Sequence, residues 1–120
     1  MTPHFTRTEL ACPCCGQCEM DEYFLDTLEH IRVECGFPLH VNSGFRCENH
    51  NRELKGSSPT SQHLLGRAAD IDTSRLSPEM KHKLAEVAFN SGIRGFGVYK
   101  TFFHLDVRET AASFWMHPSC

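Results

Sequence analysis

His63 and Asp70 stand seven residues apart in Ser61-Gln62-His63-Leu64-Leu65-Gly66-Arg67-Ala68-Ala69-Asp70-Ile71-Asp72, and that spacing limits what the chain between them can be. A third donor, His104, lies in Phe102-Phe103-His104-Leu105-Asp106-Val107-Arg108. On one helix His63 and Asp70 would share a face but sit about 10 Å apart along the axis, at 1.5 Å per residue. Donors to one zinc ion lie about 2.0–2.2 Å from it, so a single helix is excluded. The segment near 66–72 reads instead as a strand, with Ala68, Asp70 and Asp72 on one face and Ala69 and Ile71 on the other. Phe102, His104, Asp106 and Arg108 alternate in the same way with Phe103, Leu105 and Val107. Neighbouring strands would project Asp70 and His104 from one sheet face, with His63 reaching the same point from the preceding loop. Two histidines and one carboxylate leave a zinc position open for water, which is the catalytic rather than the structural pattern and points to metal-assisted hydrolysis.

Ser-x-His-x-x-Gly-x-Ala-x-Asp at 61–70, followed by Phe-x-His-x-Asp-x-Arg at 102–108, resembles the M15 family of zinc D-Ala-D-Ala peptidases. Within that family the chain is similar to the small single-domain branch common among phage and prophage wall-lytic enzymes. Val41-Asn42-Ser43-Gly44-Phe45-Arg46 resembles the family's Ser-Gly-aromatic-Arg segment, so the likeness runs over roughly residues 5–108. It implies a zinc metallopeptidase of the D,D-carboxypeptidase or endopeptidase type, cutting peptidoglycan stem peptides and serving as an endolysin if it comes from a phage. His63, Asp70 and His104 would hold the zinc. Arg46 would bind the substrate carboxylate or the oxyanion, because a planar guanidinium fork suits paired oxygens. Ser61 would orient the substrate or His63, and Tyr99 would face the cleft. An alternative is a zinc-binding module that keeps the ligands but binds wall peptide or a protein partner without cutting it.

The likeness is incomplete at the general base. Relatives place an acid three residues before the last ligand, or a second histidine two residues before it; here those positions are Thr101 and Phe102. Asp106, about 6.6 Å along the strand from His104 at 3.3 Å per residue, is the remaining carboxylate on that face. It is either the catalytic base or a carboxylate that orients His104 or pairs with Arg108.

A chain of 120 residues implies one domain, 1–120, with a cysteine-rich segment at 12–18 and a tail at 111–120 that resembles nothing diagnostic. Net charge −3 without a basic stripe argues against a nucleic-acid partner. No apolar run is long enough to span a membrane, and no apolar stretch follows Met1–Arg7 as in a signal peptide. The expectation is a monomer made in the cytoplasm that acts on the wall in the periplasm once released, for instance by a holin. Seven cysteines are many for a reducing compartment. Cys12-x-x-Cys15-Gly16 resembles one knuckle of a zinc ribbon, and its second knuckle is missing. Three readings of Cys12, Cys15, Cys18 and Cys47 stay open: a second, structural zinc, a disulfide formed after export, or reduced thiols packed as small hydrophobes.

The remaining pattern predicts an α+β fold. Phe24, Leu28, Ile31 and Cys35 recur at helical spacing over 21–35, with Asp21 as N-cap and Gly36 and Pro38 as stops. Ser77-Pro78-Glu79 opens a second helix over 78–91, with Met80, Leu84, Val87 and Ala88 as its buried stripe. A short helix is expected over 47–54, with His50 and Asn51 structural. Lys55–Thr60 reads as a loop forming one wall of the cleft. Strands near 39–45, 66–72, 95–99 and 102–108 should make a small antiparallel sheet, with helices on one face and the zinc cleft on the other.

Overall fold

The computed structural model describes residues 1–54 and 60–117, so most of the loop assigned above to a cleft wall lies outside the described residues. In chain order the elements are α1 (Arg7–Leu10), α2 (Glu22–Cys35), β1 (Val41–Ser43), α3 (Glu48–Glu53), a 3-10 turn (Gln62–Leu65), β2 (Ala68–Asp72), α4 (Pro78–Asn90), β3 (Gly95–Val98), β4 (Phe102–Asp106) and β5 (Ser113–Met116). The fold is α+β.

Each long helix starts where its capping residue stands. The Asp21 side chain accepts the Phe24 N–H at 3.0 Å, and the Ser77 hydroxyl accepts the Met80 N–H at 3.2 Å with Pro78 at the first helical position. Both bonds satisfy donors that the first turn leaves free. Gly36 ends α2 with φ 77°, a left-handed conformation in which a Cβ would be strained. Phe24, Leu28, Ile31 and Cys35 from α2 and Leu84 and Ala88 from α4 are buried together with Ala69, Ile71, Phe96, Phe103 and Leu105 from the sheet. Burial of each large apolar side chain is worth about 1.5–3 kcal/mol relative to exposure, so this one-sided core holds the helices against the sheet.

The sheet runs β1-β2-β4-β3-β5. All pairs are antiparallel except β3 with β5, which is parallel and brings Gly97 opposite Trp115. The four expected strands are present and pair antiparallel; the tail, in which the sequence shows nothing diagnostic, adds a fifth that pairs in parallel. The tail adds a strand whose residues are mostly exposed: Phe114 packs on Phe96 and Phe89 on the helix side while Trp115 crosses the other face. The first strand is also shorter than 39–45, spanning Val41–Ser43 with a register shift between those two residues. Beyond it the chain leaves the sheet and carries Arg46 to the site from a loop.

On the face away from the helices, β3 offers only Gly95 and Gly97. A Cβ at 95 would collide with the Asp106 carboxylate, and one at 97 with the Trp115 ring. Two bare positions therefore let a buried carboxylate and an indole lie flat against the sheet.

Candidate metal centre

Asp70 and His104 are direct partners in the β2/β4 register, and both project from the helix-free face. His63 arrives from the 3-10 turn, whose N-cap Ser61 accepts the His63 N–H at 3.2 Å. Gly66 ends that turn at φ 68° and passes so close to Glu19 that a Cβ there would meet the Glu19 carbonyl. That reversal lets the chain enter β2 at Ala68, five residues after His63, so that Asp70 comes back beside the His63 ring.

Both imidazoles are held from behind. His63 Nδ1 donates to the Gly44 carbonyl at 2.7 Å, which turns Nε2 toward Asp70 Oδ1 at 3.2 Å. His104 Nε2 lies 2.7 Å from Asp106 Oδ2, so the proton sits on that side and Nδ1 faces Asp70 Oδ1 at 3.0 Å. One donor atom from each of His63, Asp70 and His104 lies within 4.8 Å of the other two. Two imidazole nitrogens with fixed tautomers and one carboxylate, all buried and converging, fit a zinc ion and its habit of binding histidines whose other nitrogen is anchored.

The three residues form the floor of a cleft of about 580 Å³, which Arg46, Ser61, Tyr99, Phe102, Arg108 and Trp115 also line. Arg46 Nη2 donates to Asp70 Oδ2 at 3.1 Å and its Nε to Ser43 Oγ at 3.1 Å. Buried Asn51, expected only as a structural residue, accepts from Arg46 Nη1 at 3.4 Å. Tyr99 stacks on Phe102 and accepts a hydrogen bond from Trp115 Nε1 at 3.0 Å. Trp115 sits between the His104 ring and the Arg108 guanidinium, at 5.3 and 5.2 Å. Its only sequence signal was a lone tryptophan in a short aromatic run, too brief to identify as a strand.

Asp106 does not face the cleft. It is fully buried behind His104, with Arg108 bound to both carboxylate oxygens at 2.9 and 2.6 Å and the Arg108 N–H at 3.1 Å. With the His104 Nε2 contact, these bonds take up both Asp106 carboxylate oxygens. Asp106 orients His104 and pairs with Arg108. Asp72 caps the turn after β2, accepting from Ser74.

The cysteines divide differently from their spacing. Cys18 is buried in the hydrophobic core beside Phe5 and Leu10, as is Cys35 elsewhere in it. Cys14 takes the place expected for Cys18, and Cys12, Cys14, Cys15 and Cys47 converge.

Comparison with known families now bears on this geometry: a profile of Peptidase M15 matches residues 3–106. The chain belongs to the Peptidase M15 family. No curated protein matches it. The M15 match spans His63, Asp70, His104, Arg46 and Asp106, whereas Trp115 and all of β5 lie beyond it. Among the described residues no helix is long and apolar enough to cross a membrane.

Charges in this M15 centre are tightly interlocked. Burial would raise the Asp70 pKa, but hydrogen bonds from His104 and His63 hold it well below the usual carboxylate range. Burial likewise opposes the bonds from Arg108 and His104 that keep Asp106 low. Burial would lower His104, yet its bonds to Asp106 and Asp70 raise it. Burial also lowers Arg46, against the pull of Asp70.

For the metal-free protein the signs follow by linkage. The two depressed carboxyls contribute stability that is present above their unfolded pKa of about 3.9 and is lost as pH falls through the lower folded values. His104 contributes stability that is present below its unfolded pKa of about 6.5 and is lost as pH rises through its higher folded value. Urea midpoints of chelator-treated protein should therefore be highest between about pH 4 and 6.5. Asp106→Asn should flatten both limbs, and an unchanged profile in that variant would contradict the interlocked charges.

Proposed function

We propose that the chain is a zinc metallopeptidase that hydrolyses peptidoglycan stem peptides, at a bond involving D-alanine. The observation that supports this most directly is the convergence of His63 Nε2, Asp70 Oδ1 and His104 Nδ1 at the floor of an open cleft in a chain of the Peptidase M15 family. Those three residues would hold the ion. Bound zinc supplies a Lewis acid for the scissile carbonyl and a water of lowered pKa.

The chain's own groups do the rest. Arg46 is a cation pinned by Asp70, Ser43 and Asn51, so its guanidinium is already oriented when substrate arrives. A preorganised charge of this kind stabilises developing negative charge on the carbonyl oxygen without reorganising. Arg108, held by Asp106, adds a second positive group on the cleft wall suited to a stem-peptide carboxylate. Tyr99, Phe102 and Trp115 give that wall an apolar surface for a short aliphatic side chain. Because its oxygen already accepts from Trp115, the Tyr99 hydroxyl has its own proton to donate, which makes it a candidate acid–base group on the wall among the described residues.

Digesting purified peptidoglycan and mass-analysing the fragments tests the reading. The wild-type protein should release peptide fragments that disappear on chelation and return with zinc, and Arg46→Ala should cut the rate by about 10²–10³-fold. Binding of wall peptide without any fragment would instead mark a non-catalytic zinc module.

The role of Asp106 has its own signature. Asp106→Asn should weaken zinc affinity about 10–100-fold, with turnover largely restored by excess zinc. Full zinc occupancy combined with an unrescued loss of turnover would return Asp106 to the role of base.

A further inference from the structure

We propose that Cys12, Cys14, Cys15 and Cys47 form a second metal site, a closed tetrathiolate for zinc that braces the Arg46 loop. Sγ of Cys12 lies 3.5 Å from that of Cys14 and 3.6 Å from that of Cys47, and Cys14 and Cys47 are 3.2 Å apart. The Cys15 sulfur lies within 4.8 Å of the other three. A tetrahedral ion with sulfurs at about 2.3 Å sets those sulfurs about 3.8 Å apart, so a small adjustment seats it. All four cysteines are free thiols here. Four sulfurs leave no position for water, which makes the site structural rather than catalytic.

The backbone around the sulfurs is shaped for such a site. Between Cys12 and Gln17 the chain folds back on itself, with Cys12 N–H bonded to the Gln17 carbonyl at 2.7 Å and Gly16 N–H to the Cys12 carbonyl at 2.8 Å. Gly16 takes φ 74° in open space, and its reversal turns three sulfurs of one short segment toward one point. The fourth comes from 35 residues away in sequence, and the His50 N–H donates to its Sγ at 3.4 Å, as thiolate ligands require. Packing of reduced thiols as hydrophobes does not account for the cluster. Cys14 and Cys15 are exposed, while Cys18 and Cys35 take the core positions.

The brace reaches the first metal centre through the segment Gly44–Cys47. Its Phe45 N–H bonds to the Leu10 carbonyl at 2.8 Å and its Arg46 N–H to the His63 carbonyl at 3.2 Å. The Gly44 carbonyl orients His63, and Arg46 holds Asp70. An ion on Cys47 and Cys12–Cys15 ties this segment to the N-terminal strap beyond Leu10, so both ends of the support are clamped.

Titrating reduced, metal-free full-length protein with Co²⁺ tests the assignment independently of any peptidase activity. Only the tetrathiolate can give an intense sulfur-to-cobalt charge-transfer band, because the His63–Asp70–His104 site contains no sulfur. The band should appear in the wild type, and zinc analysis should count two equivalents. It should vanish in Cys14→Ser and Cys15→Ser with loss of one equivalent, and persist in Cys18→Ser. Cys15 is exposed, so its variant covers the case in which Cys14→Ser does not fold. A missing band in the reduced wild type, a band that survives both Cys14→Ser and Cys15→Ser, or one lost in Cys18→Ser would overturn the proposal. Finding disulfides among these residues in protein purified without reductant, together with no zinc uptake after reduction, would do the same.

Discussion

Asp70 is the group on which the rest of this centre depends. It is buried on the helix-free face and meets His63 and His104 through Oδ1 and Arg46 through Oδ2. A buried carboxylate is costly unless it is paired, and here three positive or proton-bearing neighbours converge on it. Each neighbour is in turn fixed from outside: His63 by the Gly44 carbonyl, His104 by Asp106, Arg46 by Ser43 and Asn51. The centre is thus a set of polar groups whose orientations are settled before any ion or substrate arrives, which is what preorganised catalysis needs.

The scaffold makes this possible by dividing the sheet into two chemistries. One face packs Ala69, Ile71, Phe96, Phe103 and Leu105 against α2 and α4, and the alternating residues on the same strands carry Asp70, His104 and Asp106. A slip of one residue in the β2/β4 register would exchange the faces and bury charge in the core, so the apolar packing also fixes the metal geometry. Gly95 and Gly97 complete the arrangement by leaving room for Asp106 and Trp115.

Much of this was legible in the sequence because period-two alternation shows which residues share a face. The strand character of 66–72 and 102–108 is read from that alternation, and the antiparallel pairing of β2 with β4 then sets Asp70 opposite His104. Helices α2 and α4 were equally readable, since Asp21 and Ser77-Pro78 start them and apolar residues recur every three or four positions. Strand β5 was not legible. It is four residues long, Phe114 and Met116 stay exposed, and its partner is chosen by long-range parallel pairing with β3. With β5 missed, Trp115 was missed as well. The position of Asp106 was open for a related reason: spacing puts it on the right face, but only Gly95 and Arg108 decide that it lies behind His104 rather than in the cleft. In the cysteine segment the C-x-x-C pair Cys12 and Cys15 does converge with Cys47, but spacing could not show that the reversal at Gly16 brings Cys14 to them and leaves Cys18 to the core.

Anomalous diffraction at the zinc edge from crystals of zinc-loaded protein would locate the ion. A peak is expected on the cleft floor with His63 Nε2, Asp70 Oδ1 and His104 Nδ1 each about 2.0–2.2 Å away, and Asp106 still bound to His104 Nε2. No peak between those three residues, or a peak held by Asp106 or through His104 Nε2, would contradict the proposed zinc site.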